Sequence, residues 1–587
     1  MNDKLNQILG SVVAVSLLAL PCVATAQVDP GVPGPLEVSR AEYDYGDEVF
    51  FFEERADRPT EMRAVVWYPT DLSTGPFPLV VFLHGWHLTC YQGGSAFQGQ
   101  WPCPAPRLPI PNYTGYEYEQ QILASYGYIV VSISANGVNA RDNLYTDVGM
   151  LWRAQLLQAH LDQWNTFNSV GGDPFGKLFI GTLDLTRVGT MGHSRGGEGV
   201  ARHYVYNRDL GSPYGVRAVL PLAPVNFSRE LLDGVNINVF LPYCDGDVVD
   251  LQGAHYFDDA RYIAGEQTNK HFTLVMGGNH SYYNTIWTPG GWPAGTWDDW
   301  QAFQDAGLVD PWCGNGEGSH KLPPPQVRGT FMAYGTAFYR LYLGGETEFL
   351  PLLKGDAPPP PSATTSEILM TYQAKDAAGA RLDVNRLLTS GDLSTNTLGG
   401  AVVQQGLTGY DLCGGEAPQD RHCLPTGLGQ HSVNRQPHTV QSARATLMRG
   451  LSQLRFGWDE ATASLSNELP AGTGDVSGYN VLQFRSAVNF ADPRNIPDLA
   501  QDLSVTLTDG SGNSSTTVVS ASSAALYYPP GRSVPLTWAI PKLIHNAIRI
   551  PLTQFPGVDL TNIQSVQFNF DQVEQGALLV SDILFAD

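Results

Sequence analysis

Apolar residues in the first half of the chain form short unbroken runs, and stretches with helical spacing lie between these runs. Unbroken apolar runs are typical of strands inside a parallel sheet, because both faces of such strands are covered. Strands that alternate with helices predict βαβ units, and therefore an α/β fold with a mostly parallel sheet and helices on both faces. The predicted strands span residues 62–69, 78–83, 127–134, 187–191, 216–222, 237–241 and 271–275, and the predicted helices span 116–126, 148–165 and 196–206.

The pattern changes after a proline-rich stretch, which predicts a stiff linker over residues 356–365. Beyond it, apolar and polar residues alternate in shorter runs that are separated by Gly, Asn, Asp and Ser. Alternation of this kind predicts an antiparallel β-sandwich. The clearest runs are at residues 479–485, 503–508, 566–570 and 578–585.

Two domains are therefore expected, an α/β domain over residues 27–355 and a β-sandwich over residues 366–587. The final stretch, residues 548–587, resembles in its pattern the last strands of galactose-binding or carbohydrate-binding jelly rolls. That resemblance implies a substrate-binding role for the second domain, with a glycan or a polymer as its ligand.

The N-terminal segment has the pattern of a signal peptide. An apolar run over residues 8–20 is followed by the small residues 24–26, and the run is too short to span a bilayer. We expect residues 1–26 to be removed and the mature protein to be secreted, extracellular or periplasmic. A lipoprotein anchor at Cys22 is the alternative, although Pro21 fits it poorly. No later segment is predicted to span a membrane.

Composition narrows the classes of partner. The chain has 587 residues, of which 43% are hydrophobic and 16% charged, and its formal net charge is −23. This much apolar material predicts large folded cores rather than disorder. A strongly acidic surface repels phosphate backbones, so nucleic acid is not an expected partner.

The cysteine count favours disulfide bonds. The chain has seven cysteines, and loss of Cys22 with the signal peptide leaves an even number. An even number in an exported protein is typical of a disulfide framework, although sequence cannot fix the connectivity. Nearest-neighbour pairing is the simplest hypothesis, and it gives Cys90–Cys103, Cys244–Cys313 and Cys413–Cys423.

A nucleophile motif lies between a predicted strand and a predicted helix. Its sequence is Gly192-His193-Ser194-Arg195-Gly196. A serine at such a position must occupy a tight, strained turn, which small residues two before and two after it permit. A bare G-x-S-x-G arises by chance, but the flanking elements and a further glycine after the motif make Ser194 a strong candidate nucleophile.

A serine hydroxyl needs a base, and in this type of site the chain order is Ser, acid, His. His280 directly follows the apolar run that ends at residue 275, and a loop histidine there can reach over the sheet. The competing histidines are His255, which no strand precedes, and His271, which begins a strand. We predict that His280 is the catalytic base.

The acid should follow the preceding strand. Asp245, Asp247 and Asp250 are all in range of it. The triplet Asp247-Val248-Val249 resembles the Asp-x-Val stretch that carries the acid in many α/β-hydrolases. That resemblance favours Asp247, and Asp245 remains the alternative. The acid fixes the imidazole tautomer and stabilises the imidazolium, and it accepts no proton. The Cys244–Cys313 pairing would tie together the loops that carry the acid and His280.

Two backbone amides are candidates for stabilising an oxyanion. One belongs to Arg195, directly after the nucleophile, and the other to Trp86 in the turn His84-Gly85-Trp86. Trp86 and His193 are also the predicted substrate contacts. Several tryptophans follow His280 and line a substrate cleft, form a lid or make a local core: Trp287, Trp292, Trp297, Trp300 and Trp312.

Residues 192–197, residues 84–86, Asp247 and His280 together resemble the α/β-hydrolase superfamily. The Gly-His-Ser-x-Gly-Gly form is most similar to secreted bacterial serine esterases, namely the cutinase-like polyester hydrolases, platelet-activating-factor acetylhydrolases and dienelactone-hydrolase relatives. The resemblance covers residues 60–350 and implies hydrolysis of a small, lipid or polymeric carboxylic ester through an acyl-enzyme, with no metal and no cofactor. A peptidase or amidase is the nearest rival, and an inactive binding or adhesion protein is a rival of another class.

Overall fold

The protein is described by a computed structural model. The described residues are 28–144, 146–305, 307, 310–363, 367–377, 379–387, 392–414, 423, 452–531 and 541–587. The predicted signal peptide and Cys22 lie outside them.

Strands and helices alternate through the first two thirds of the chain. The strands are β1 (Val38–Asp44), β2 (Phe50–Phe52), β3 (Arg55–Thr60), β4 (Arg63–Pro69), β5 (Phe77–Leu83), β6 (Cys90–Gln92), β7 (Ser95–Phe97), β8 (Leu108–Pro109), β9 (Ile129–Ile133), β10 (Leu183–His193), β11 (Val216–Leu222), β12 (Asn236–Pro242), β13 (Lys270–Val275) and β14 (Ile368–Gln373). The helices are α1 (Glu117–Ser125), α2 (Asn136–Asn139), α3 (Met150–Ser169), α4 (Arg195–Asp209), α5 (Ala254–Ala260), α6 (Gln301–Asp305), α7 (Pro324–Tyr339) and α8 (Leu350–Lys354).

A nine-stranded mixed sheet organises this part of the chain, in the order β1-β4-β9-β5-β10-β11-β12-β13-β14. The strands from β9 to β13 in that order pair in parallel, and the outer strands pair antiparallel. Strand β5 is buried along its whole length. Its alternate residues belong to two separate cores, with Val81 in one and Phe82 in the other, because helices cover both faces. The prediction of an α/β sheet is confirmed.

The predicted domain boundary does not separate the two parts of the chain. Strand β14 follows the proline-rich stretch, yet it pairs antiparallel with β13 and completes the mixed sheet. The expectation that every residue after 366 belongs to the β-sandwich is therefore wrong for Ile368–Gln373. A proline-rich stretch stops a helix or strand, but it does not prevent the chain from returning to the same sheet.

The described residues after strand β14 form an all-β region, as predicted. One sheet has the order β17-β18-β25-β20-β23 with β15 beside β25, and the other has the order β16-β19-β24-β21-β22. Both sheets contribute to a shared apolar core, as expected for a β-sandwich. The strands are β15 (Arg381–Asn385), β16 (Val402–Gln405), β17 (Leu407–Cys413), β18 (Gln453–Trp458), β19 (Ser464–Glu468), β20 (Val481–Val488), β21 (Ser504–Asp509), β22 (Ser514–Val518), β23 (Asn546–Pro551), β24 (Ile563–Asn569) and β25 (Gly576–Ala586).

All three predicted disulfide pairs are present. Cys90–Cys103 closes a short loop and Cys413–Cys423 another, while Cys244–Cys313 spans 69 residues. The long loop includes both Asp245 and His280. Within the described ranges, no helix combines the length and the apolar character needed to cross a membrane.

A buried cluster of charged side chains joins the sandwich to the mixed-sheet part. The Arg485 guanidinium lies 2.8 Å from the Asp258 carboxylate of α5 and 3.1 Å from the Asp582 carboxylate of β25. Arg261 also pairs with Asp582, at 3.1 Å. Removing one member of such a cluster leaves an uncompensated charge in the interior.

We expect the substitution Arg485→Leu to lower the free energy of unfolding by about 3–5 kcal/mol, because it removes a buried cation that pairs with two buried carboxylates. Urea unfolding followed by tryptophan fluorescence measures the change. Arg494→Leu is the matched control, since Arg494 pairs with Asp459 and Asp492 at the surface, and it should cost much less. Equal losses of unfolding free energy in the two variants would show that the buried cluster contributes no more to stability than a surface ion pair.

Candidate functional site

Ser194 occupies the turn between strand β10 and helix α4, at the centre of the mixed sheet. Its backbone has φ 59° and ψ −123°, a conformation that costs energy in a residue with a side chain. Hydrogen bonds stabilise the turn: the Ser194 amide donates to the Leu222 carbonyl at 2.9 Å, and the Gly197 amide donates to the Ser194 carbonyl at 2.8 Å. The turn places the serine at the carboxyl edge of the sheet, where the ends of the parallel strands meet.

Close backbone approach explains the glycines around this serine. A Cβ atom at Gly192 would lie 1.9 Å from the Gly196 carbonyl oxygen, and a Cβ at Gly196 would lie 2.4 Å from the Leu83 carbonyl oxygen. Neither neighbour is a flexible side chain, so neither can move aside cheaply. The glycine spacing read from the sequence is therefore a packing requirement of the turn.

His280 and Asp245 form a buried hydrogen-bonded pair, and the His280 ring centre lies 4.8 Å from that of His193, the residue before Ser194. The His280 Nδ1 atom lies 2.8 Å from the Asp245 Oδ2 atom, and both side chains are buried. The other carboxylate oxygen of Asp245 accepts the backbone amides of Asp247 at 2.9 Å and Val248 at 2.6 Å. These two bonds fix the carboxylate so that its free oxygen faces the imidazole.

The prediction that Asp247 partners His280 is wrong, because the structure gives this position to Asp245. Asp245 lies in the first turn after strand β12, where its side chain bonds the following amides and turns inward. Asp247 is two residues further and lines the cavity beside Ser194. Asp250 also lines that cavity, and burial raises the pKa of its carboxyl group to about 6.

Negative charge surrounds His280. Burial alone would lower the pKa of its imidazole, but the carboxylates of Asp245, Asp247 and Asp299 outweigh burial and raise the pKa well above 6.5. The imidazolium is therefore strongly stabilised. A general base that accepts a proton at this position would therefore gain its positive charge in surroundings that already stabilise it.

Asp299 is a functional candidate that sequence reasoning missed. Its carboxylate accepts the backbone amide of His280 at 2.5 Å and that of Ser281 at 3.1 Å. Burial raises the pKa of Asp299 to about 7. Asp299 lies directly before Trp300. Apart from its tryptophans, this segment has no sequence pattern that indicates a functional role for Asp299.

A cavity of about 300 Å³ opens beside Ser194. Both residues predicted to supply oxyanion-stabilising amides line it, and the Arg195 guanidinium lies 5.4 Å from the centre of the Trp86 ring. Arg195 pairs with the buried Asp142 at 2.7 Å, and Arg153 contacts the same carboxylate at 2.8 Å. The lining residues are Trp86, Ser194, Arg195, Val225, Phe227, Asp247, Val248, Val249, Asp250 and Gln252.

The side chain of His193 packs away from that cavity. It is fully buried, its ring centre lies 4.8 Å from that of His280 and 4.7 Å from that of Trp287, and Tyr116 Oη lies 2.9 Å from its Nδ1. The predicted substrate contact by His193 is therefore wrong for the side chain. Its ring instead packs against the ring of His280.

The tryptophans after His280 are mostly packing residues. Trp287 and Trp300 are buried, and the His87 ring stacks between Trp287 and Trp297 at centre distances of 5.0 and 4.7 Å. Trp312 stacks on His320. For these residues the structure favours the local-core alternative over a substrate cleft.

The competing histidine His271 lies outside the site. Its Nδ1 lies 2.8 Å from the Leu353 carbonyl and its Nε2 lies 2.5 Å from the Tyr342 hydroxyl, which is the environment of a structural residue. Across the residues that the structure describes, no group of three or more His, Cys, Asp or Glu side chains is arranged to hold a metal ion.

Comparison with known proteins gives one partial relative. No family model matches the chain. The chain is similar to the bis(hydroxyethyl) terephthalate hydrolase of Streptomyces coelicolor, with 27% identity over 190 residues. The match covers 32% of this chain and 46% of that protein, so the chain spans less than half the length of this relative.

We expect Gly192→Ala to lower the free energy of unfolding by about 1–3 kcal/mol, because the added methyl group meets the backbone of Gly196. Chemical denaturation measures this cost. Gly94→Ala is the control, since a Cβ at Gly94 meets nothing within 4 Å, and its effect should stay within about 0.5 kcal/mol. A Gly192→Ala variant as stable as the wild type would contradict the packing argument.

Proposed function

We propose that the protein is a secreted serine hydrolase of the α/β-hydrolase fold that cleaves carboxylic esters through an acyl-enzyme. The observation that carries the proposal is the strained turn that places Ser194 in a cavity, one residue after His193, whose ring packs against the buried pair of His280 and Asp245. The partial similarity to a hydrolase named for a terephthalate ester supports the same reaction class. The disulfides support secretion, because such bonds persist in oxidising compartments.

In the proposed reaction, the Ser194 oxygen attacks the ester carbonyl carbon while His280 removes the serine proton. Because Nδ1 of His280 bonds Asp245, Nε2 is the nitrogen that receives this proton. Asp245 holds the ring in that tautomer and stabilises the imidazolium without taking the proton. His280 then protonates the leaving alcohol, and a water molecule activated in the same way releases the acid from the acyl-enzyme.

The backbone amides of Trp86 and Arg195 are the proposed donors to the oxyanion. Both residues line the cavity that contains Ser194. Amides fixed in advance stabilise developing charge without reorganisation, and loss of one such donor typically costs about 10²–10³ in rate. The pairing of Arg195 with Asp142 helps to hold the start of helix α4, and with it the second amide.

The walls of the cavity indicate the kind of ester. Val225, Phe227 and the Trp86 ring offer apolar surface. The cavity wall also contains two carboxylates, of Asp247 and Asp250, against the single guanidinium of Arg195. Such a cavity repels a substrate that carries its own carboxylate. We propose neutral esters as substrates, including esters of aromatic acids with hydroxyl-bearing alcohols, the chemistry that the relative's name describes.

Two rivals remain to be tested against this proposal. A peptidase or amidase would use the same residues to cleave an amide bond. An inactive binding protein would cleave neither an ester nor an amide. The partial relative favours the ester hydrolase. Binding of a glycan or polymer by the β-sandwich stays a prediction from its sequence pattern.

The nucleophile is tested with Ser194→Ala. We expect kcat/KM to fall by about 10⁴-fold or more on p-nitrophenyl esters of increasing acyl length and on bis(hydroxyethyl) terephthalate, because no other group supplies the attacking oxygen. Matched p-nitroanilides separate esterase from amidase activity. Ser169→Ala, at an exposed position of helix α3, is the control and should behave as wild type.

The outcomes distinguish the three functions. Activity retained by Ser194→Ala would overturn the proposed mechanism. Faster cleavage of the anilides than of the esters would favour the amidase. A wild-type protein that neither hydrolyses esters nor reacts with a fluorophosphonate would favour the binding protein.

The acid is tested by comparing Asp245→Asn with Asp247→Asn. We expect the first to lower kcat/KM by about 10⁴-fold, because an amide no longer fixes the tautomer of His280. The second should cost less than about tenfold. A base acts only when neutral, so activity falls as the pH drops through the His280 pKa, which nearby carboxylates raise. Asp247→Asn removes one of them and should shift the rising limb of the pH profile to lower pH.

Circular dichroism and thermal unfolding of both variants check that the folds are equal. The assignment fails if Asp247→Asn loses as much activity as Asp245→Asn. The electrostatic argument fails if the limb moves to higher pH in Asp247→Asn.

A further inference from the structure

The β-sandwich inserts a charged side chain beneath the loop that carries Asp245. Lys542 lies just before strand β23 and is fully buried. Its ammonium group donates to the Asp245 carbonyl at 2.6 Å and to the Tyr243 carbonyl at 2.7 Å. Its backbone amide donates to the Tyr243 hydroxyl at 3.1 Å. A residue almost three hundred positions away in the chain therefore holds the turn after strand β12.

Lys542 completes a set of bonds to three consecutive carbonyl groups. The carbonyl of Cys244, between the two that Lys542 binds, accepts the Trp300 indole N–H at 2.8 Å. Cys244 is also fixed by its disulfide to Cys313. The main chain at Asp245 thus has little freedom, and its side chain reaches His280 from a fixed base. Errors of about 1 Å in such a constellation can cost about 10²-fold in rate.

The ammonium group also contributes charge where carboxylates accumulate. The carboxylates that act on Lys542 are those of Asp245, Asp310, Asp250 and Asp299, and the Tyr243 ring lies 5.8 Å away. Burial lowers the pKa of Lys542 to about 8, so at neutral pH the group is still a cation.

The same carboxylates connect Lys542 to the catalytic base. The groups that act on His280 are Asp245, Asp247 and Asp299, with the neutral ring of His193 packed against it. Two of these three carboxylates also interact with Lys542. A cation in this position partly offsets the negative charge around His280 and so opposes excessive stabilisation of the imidazolium.

We propose that Lys542 is a positioning residue for ester hydrolysis, through which the β-sandwich holds Asp245 in line with His280 and balances the charge of the site. The β-sandwich is then an integral part of the catalytic apparatus rather than an independent module. This inference rests on the proposed function.

The test uses the full chain with Lys542→Met, which keeps the length of the side chain but removes its charge and its donors. We expect kcat/KM on a p-nitrophenyl ester to fall by about 10²-fold, with the loss mainly in kcat, because the acid is misplaced. Without the cation, the pKa of His280 rises. The rising limb of the pH profile, which follows the raised pKa of His280, should therefore move to higher pH by about half a unit or more.

Arg549→Met is the matched control. Arg549 is a buried cation of strand β23 at the junction with the mixed-sheet part, but it pairs with Asp356 and Gln483 rather than with the loop of Asp245. Its removal should cost comparable stability in thermal unfolding, and it should leave both the pH profile and kcat unchanged.

A folded Lys542→Met variant whose kcat and pH profile match those of the wild type would overturn the inference. An equal profile shift in Arg549→Met would also overturn it, since the effect would then come from general loosening of the junction. If Lys542→Met does not fold, Lys542→Gln and Lys542→Arg decide. The neutral Gln variant must shift the profile and the charged Arg variant must not.

Failure of the proposed function has a different signature. A wild-type protein that hydrolyses no ester removes the basis of both proposals. A wild-type esterase that depends on Ser194 but is indifferent to Lys542 leaves the function standing and removes only the role of Lys542.

Discussion

The buried hydrogen bond between His280 and Asp245 is the constraint on which the site depends. His280 and Asp245 lie in loops that follow different strands. Both side chains are buried, so neither can replace the lost bond with a hydrogen bond to water. A charge-assisted bond in a dry environment is strong, but its parts are costly when separated. The surrounding structure reduces the freedom of both loops. The Cys244–Cys313 disulfide, Asp299 and Lys542 each hold one of them through main-chain or covalent contacts.

The mixed sheet brings the candidate site residues close together, and contacts within the loops set the orientation of their side chains. Parallel pairing from β9 to β13 brings the ends of the strands to one edge, so Ser194, Asp245 and His280 begin as neighbours. Strand geometry alone cannot select which atom of a loop faces which. That choice falls to short-range bonds such as those from the Asp247 and Val248 amides to Asp245.

The chain's own pattern was enough to predict the strands of the mixed sheet, because buried parallel strands appear as unbroken apolar runs. It also predicted Ser194 and His280 as candidate site residues, since each lies shortly after such a run. It failed between Asp245 and Asp247, because both lie in the same turn and only the direction of one side chain separates them. Asp299 and Lys542 were out of reach, since their roles arise from contacts between segments that are distant in the chain.

Strand β14 connects the two parts of the chain, so they cannot be separated cleanly at the proline-rich stretch. It pairs with β13 on one side, and its Thr371 and Tyr372 accept hydrogen bonds from Ala547 and Gln483 of the sandwich. A protein cut at the proline-rich stretch would lose this strand and leave the backbone groups of β13 without partners at an open edge, a surface on which other chains readily add. A fragment that contains Ser194 and keeps the edge of β13 paired must therefore extend beyond the prolines.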